Sequence, residues 1–298
     1  GVGNLGVGLA QLITPIAVYG GALLILGGEA QTLNDGSDTR IWLQNAGFIW
    51  VPFIVAAAVA AWFGMDNIAT VKAGFAEQVA IFRHKHQWLM SWLYTGTFGS
   101  FIGLAVSFPM LVNTEFPGVD AFKFAFIGPL LAALVRPIGG WLSDRRGGAR
   151  ITFWSFVVMA VASVAAIPFL PSATSDGSVV GFVLMFLILF IAAGVGNGST
   201  FRMIPTIFRS LREQQAVGQG EAALEQARRD GVTEAAATLG FSSAVAAFGG
   251  FFIPIAYGAS FDLSGSPQGA LIFFSLFYLS CLWITWQWYA RKGAAAPC

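Results

Sequence analysis

Arg136 lies deep in the apolar run Ala121 to Ser143, whose other charge, Lys123, stands at the start of the run. A guanidinium stays charged at any physiological pH, and a charge inside an apolar span is costly unless it is paired or hydrated. By default such a residue marks a functional site. The competing reading is snorkelling, because Arg136 lies about 10 Å from the basic end of its run at about 1.5 Å per residue, within reach of a long side chain. Arg202, just before Pro205 and a charged segment, has the stronger claim to snorkelling.

Other polar residues stand in glycine-rich strings. Gly1-Val-Gly3-Asn4-Leu-Gly6 matches the dinucleotide fingerprint formally, but that motif needs a preceding strand and a βαβ setting, and neither is present. Two readings stay open: a packing seam with one bonded polar residue, or a bare helix face offering the Asn4 amide to a ligand. The string Gly194-Val-Gly-Asn197-Gly-Ser-Thr200 repeats four of these residues, which is weak support for a true repeat. Asp144, Arg145 and Arg146 belong to a short basic hairpin, Leu142 to Arg150. A carboxylate among arginines near a helix end can latch one conformational state; as a bare charge cluster it is a topology signal.

His84 and His86 lie between Arg83 and Gln87 in a charged segment and are expected to be solvated. No apolar run contains histidine, aspartate or glutamate, so metal or haem ligation and hydrolytic catalysis within the runs lack their groups. No metal, no cofactor and no enzyme activity are expected. A pore lined by a charged ring is disfavoured too, since Arg136 stands alone.

The elements that must position these residues follow from composition. Hydrophobic residues make up 56% of the 298 positions and charged residues 10%, against about 25% charged in a soluble domain. A helix needs about 20 apolar residues to cross a bilayer. Seven runs free of Asp, Glu, Lys and Arg meet this: Gly1 to Gly28, Ile41 to Met65, Gln87 to Thr114, Ile151 to Ser175, Gly177 to Phe201, Ala235 to Phe261 and Leu263 to Ala290. With Ala121 to Ser143 they predict an all-α, polytopic bundle of eight membrane helices. None of the runs alternates in polarity, which excludes a membrane β-barrel.

Basic residues fall in alternate connections. Lys72, Arg83, Lys85, Arg145, Arg146, Arg150, Arg209, Arg212, Arg228, Arg229, Arg291 and Lys292 share one side, with Arg40 and Lys123 opposite. The positive-inside rule makes the first side, including the C-terminus, cytoplasmic. Asp66 to His86 and Thr206 to Glu234 are read as cytoplasmic hydrophilic segments, and Asn34 to Asp38, Pro171 to Gly177 and Ser264 to Pro267 as outer turns. Cys281 and Cys298 make no disulfide framework, and a net charge of +1 leaves no nucleic-acid stripe. The chain starts inside an apolar run, and the N-terminus of a longer parent is expected to be missing.

The chain resembles the nitrate/nitrite porters of the major facilitator superfamily over essentially its whole length. Gly1-Val-Gly-Asn-Leu-Gly-Val-Gly is similar to the family's first nitrate signature, on its fifth helix, and Gly240-Phe-Ser-Ser-Ala-Val-Ala-Ala-Phe-Gly-Gly-Phe251 to the second, on the eleventh. Trp88 to Gly103 resembles the seventh helix, and Ala125 to Asp144 the eighth with its following loop.

The resemblance implies twelve helices in two halves, of which the fifth to twelfth are present. Residues 1–65 would be the last two helices of the first half, 66–87 the cytoplasmic linker, and 88–298 the second half. It also implies that Arg136 binds the substrate, with Asn4, Tyr94 and Phe98 around it; a second arginine and aromatic face would lie in the missing part. Gly1, Gly3, Gly6, Gly240, Ser243, Gly249 and Gly250 are the signature residues expected to pack helices, and Asp144, Arg145 and Arg146 the conformational loop. Ala246 departs from the signature's usual glycine.

Nitrate is planar, so a guanidinium can donate parallel hydrogen bonds to two of its oxygens while an aromatic ring stacks on its face. The implied activity is nitrate and nitrite transport across the inner membrane by a monomer embedded in lipid. Exchange is favoured, with proton-coupled symport, or carriage of another small anion, as the alternative.

Overall fold

A computed structural model describes residues 2–19, 29–32, 39–65, 81–294, 296 and 298. The expected turn at Asn34 to Asp38, most of the segment Asp66 to His86, and Gly1 lie outside these residues. The chain divides into two compact units, residues 6–72 and residues 1–5 with 73–298.

In the smaller unit, α1 (Leu5–Tyr19), a two-residue strand pair, β1 (Gln31–Thr32) with β2 (Arg40–Ile41), α2 (Asn45–Phe48) and α3 (Val51–Gly64) follow in order. Pro52 stands in the first turn of α3, where its missing N–H has no helical partner to lose. The buried Asn45 amide donates to the Ala17 carbonyl at 3.1 Å, tying α2 to the end of α1. Helix α3 has no buried residue. Its Val, Phe, Ile, Ala and Trp side chains form an apolar surface all round, which suits hydrocarbon rather than water.

The larger unit is a bundle of long helices. The first runs from Lys85 to Glu115 as α4 (Lys85–Tyr94), a π-helical turn (Thr95–Gly99) and α5 (Ser100–Glu115). Then come α6 (Ile127–Arg146), α7 (Gly148–Ala165), α8 (Val179–Gln215), α9 (Glu221–Ala247), α10 (Gly249–Ser264) and α11 (Gln268–Thr285), which a further π turn extends to Ala290. Gly147, at φ +89°, forms the turn between α6 and α7, a backbone state that side chains disfavour.

Among the described residues, seven helices are long and apolar enough to cross a membrane. The eighth expected span is represented by α1, which is apolar but 15 residues long, and residues 20–28 are not described. Two other expectations are corrected. Thr206 to Glu234 is no long loop: α8 continues to Gln215 and α9 begins at Glu221, so five residues turn the chain, with Gly218 and Gly220 at φ +84° and +93°. Charge marked this stretch as leaving the membrane, but the helices continue through it. Ion pairs hold them there, with Glu213 receiving Arg209 and Arg228, each at 2.9 Å, and Arg212 meeting Glu234.

His86, expected in solvent, is buried, with its Nδ1 3.1 Å from the Tyr289 hydroxyl. It sits in the first turn of α4 rather than in a loop, so the helix carries it into the bundle. His84 remains half-exposed, 3.4 Å from Glu234.

Candidate functional site

Glycine sets how closely α6 and α8 approach. Cβ atoms added at Gly194 and Gly198 would fall on the carbonyls of Ala132 and Arg136, and one added at Gly139 would fall on the carbonyl of Val195. The two backbones are therefore in direct contact on both sides of Arg136. In lipid, where burial of apolar surface gives no drive for association, such contacts hold helices together.

The Arg136 guanidinium leaves this seam toward α4. Its Nη2 donates to the Tyr94 hydroxyl at 3.3 Å, and its centre lies 5.4 Å from the Phe201 ring on α8. No carboxylate pairs with it among the described residues. Tyr94 is 2% exposed, and Ser243 of α9 lies near its hydroxyl. Phe98 lies one turn further along, its ring 5.4 Å from that of Tyr94, and stacks in turn on Phe101. The π turn carries Phe98 and follows directly on Tyr94. π turns interrupt the regular hydrogen-bond ladder and are frequent at functional sites.

The structure thus brings together Arg136, Tyr94, Phe98 and Ser243. Ser243, expected to pack helices, stands beside Tyr94. Asn4 stands in a short 3-10 turn, Val2–Asn4, that approaches α6. Among the described residues no hydrogen bond joins it to Arg136, Tyr94 or Phe98. A cavity of about 310 Å³ beside Arg136 is lined by Pro137, Gly140, Asp144, Phe201 and Arg202, among others. Tyr94 and Phe98 are not among its walls, so the expected common cavity is not formed by these residues alone.

The signature glycines divide. Gly249 lies directly on the Gly99 backbone, and a Cβ at Gly250 would press on Ile102. Gly249 also stands where α9 gives way to α10. Around Gly3, Gly6 and Gly240 an added Cβ meets none of the described residues within 4 Å. Ala246, which departs from the signature, is fully buried, and its carbonyl faces Gly99.

Asp144 was grouped with the arginines of its own hairpin. Its ion pair is with Arg202 instead, at 2.7 Å, both side chains being about half exposed. Arg145 lies over the Trp141 ring at 4.1 Å, and Arg146 lines a separate cavity with Arg150 and Phe153. Arg202 therefore neither points at Arg136 nor snorkels freely; the reach across from α8 to α6 was not visible in sequence.

Comparison with known proteins bears on the whole chain. It is 46% identical to the nitrate/nitrite transporter NarU of Salmonella typhimurium over 292 residues, 98% of this chain and 62% of that protein. NarU of Escherichia coli is 44% identical over the same shares. A Thermus thermophilus protein named "Probable nitrate/nitrite antiporter NarK2" is 35% identical over 306 residues, 100% of this chain and 63% of its own length. The chain belongs to the nitrate/nitrite porter family of the major facilitator superfamily. It spans about 62% of the length of these porters. No family model matches the chain. It is a multi-pass membrane chain, and the seven helices described above are long and apolar enough to be its spans.

The residues that sequence reasoning missed as part of the porter's site architecture are Gly139 and Gly198. Gly198 lay in the string already noted for glycine, Gly194 to Thr200, and Gly139 in the run noted for Arg136. The signal that could have found Gly198 is its four-residue spacing from Gly194, the small-xxx-small pattern of helix contact.

Proposed function

We propose that the protein carries nitrate and nitrite across the inner membrane by exchange. The observation that carries this reading is the state of Arg136. It lies within a span, half-buried, and its described partners are a neutral hydroxyl and an aromatic ring rather than a carboxylate. An unneutralised guanidinium at that depth is costly, and a small planar anion is the ligand that removes the cost, since two of its oxygens fit the guanidinium fork. Tyr94 supplies a donor beside it and Phe98 an aromatic face. The names of the relatives support the choice of nitrate and nitrite.

Exchange follows from charge. A potential negative inside opposes entry of a monoanion by about 2.3 kcal/mol per 100 mV, whereas one nitrate for one nitrite moves no net charge. The described spans carry no acid or histidine deep within them to couple a proton. In this reading residues 1–65 close the first half, 66–87 link the halves on the cytoplasmic side, and 88–298 form the second half as a monomer with a cytoplasmic C-terminus. Rocking of the halves about Arg136 would alternate access, with the Asp144–Arg202 pair strained or released as helices slide.

The test is uptake into vesicles by the protein expressed from its complete gene. Internal nitrite should accelerate entry of labelled nitrate with no pH gradient. Uptake driven by a proton gradient into nitrite-free vesicles would replace exchange with symport.

A further inference from the structure

The string Gly194 to Thr200 accounts for the helix seam through its glycines, but not for the amide at its centre. Asn197 is 1% exposed, and its Oδ1 is buried without a hydrogen-bond partner. A buried polar atom without a partner destabilises a fold, whereas an apolar side chain of the same shape would be neutral or better. The protein therefore gains nothing from this amide in the state described.

Its position follows from the residues around it on α8. Successive helical residues are turned by about 100°. Gly194 and Gly198 face the α6 backbone at Ala132 and Arg136. Thr200 faces α4 and its π turn, where its hydroxyl lies 3.1 Å from that of Thr97, beside Phe98. Phe201 faces the Arg136 guanidinium. Asn197 falls between the last two, about 60° from Thr200 and about 40° from Phe201 around the helix, and one turn before Phe201. The wall it occupies runs from the Phe98 turn to Arg136.

We propose that Asn197 is a further anion-binding residue of the Arg136 site, donating its amide N–H to an oxygen of bound nitrate or nitrite. The proposal rests on the transport reading above. Rotation of an amide about its last bond exchanges oxygen and nitrogen without disturbing other atoms, so the unmatched position can offer N–H. Nitrate and nitrite have acceptors only, which explains why no protein donor is built there. One planar anion then meets the guanidinium fork on one edge and the amide on another.

The experiment is nitrate binding by purified protein, expressed from its complete gene, with the thermal midpoint recorded for each variant. Asn197→Leu should raise the nitrate Kd at least fivefold while the midpoint of the ligand-free protein stays level or rises. Asn197→Asp, which sets a negative charge against the anion, should weaken nitrate more than Leu does. If the Leu variant does not fold, Asn197→Ala is read in the same way. Unchanged affinity with a raised midpoint would make the amide a packing residue and overturn the proposal. Wild-type protein that binds no nitrate would overturn the transport reading itself, which separates the two failures.

Discussion

Replacing Gly198 by alanine adds one methyl group at the point where α8 touches α6. The new Cβ would fall on the Arg136 carbonyl and lie 2.8 Å from the Gly140 nitrogen. Both obstacles are backbone, so no rotamer change relieves them and the helices must part. Overpacking of this kind costs about 1–3 kcal/mol, while alanine recovers about 1 kcal/mol of helix propensity over glycine. The clash wins, by up to about 2 kcal/mol. The shift also falls on Arg136 itself, whose bond to Tyr94 is already 3.3 Å long. Gly240→Ala is the control, since its Cβ meets none of the described residues within 4 Å and propensity alone should act. Thermal midpoints and nitrate affinity, measured on the protein expressed from its complete gene, should fall for Gly198→Ala and hold or improve for Gly240→Ala. Equal behaviour of the two variants would refute the claim that backbone contact at Gly198 sets the position of Arg136.

Arg136→Lys keeps the charge but cannot hold two oxygens in one plane; losing a charge-assisted bond of about 1.5–3 kcal/mol should weaken nitrate binding about ten- to hundredfold, and wild-type binding would return Arg136 to snorkelling. Tyr94→Phe removes a neutral hydroxyl beside Arg136, and a loss of about 0.5–1.5 kcal/mol predicts a two- to tenfold rise in Kd, roughly; an unchanged Kd would remove the hydroxyl from the site. Asp144→Asn breaks a pair whose partners are each about half exposed, so stability should change by less than about 1 kcal/mol while the exchange rate shifts, and an unaltered rate in a counterflow assay would remove the latch role.

Composition and run length alone determined that this chain spans a membrane repeatedly as helices, because apolar stretches of about 20 residues have few other fates. The same reasoning picked out Arg136, since a charge within a span is conspicuous in any alphabet. What sequence could not decide was where helices end in water and which faces meet. Thr206 to Glu234 read as a loop because charge marks departure from lipid, not loss of helix, and the ion pairs of Glu213 and Glu234 keep α8 and α9 wound beyond it. His86 read as solvated because its neighbours are charged, yet the turn of α4 buries it against Tyr289. Asp144 could have paired with any of three nearby arginines, and only the packing of α8 on α6 selected Arg202. The glycines carried the least local information of all: Gly198 and Gly240 look alike in a string of letters, but a Cβ at one would fall on the Arg136 carbonyl and a Cβ at the other meets none of the described residues within 4 Å. A residue without a side chain has its meaning set by what approaches it, and that is a property of the tertiary structure.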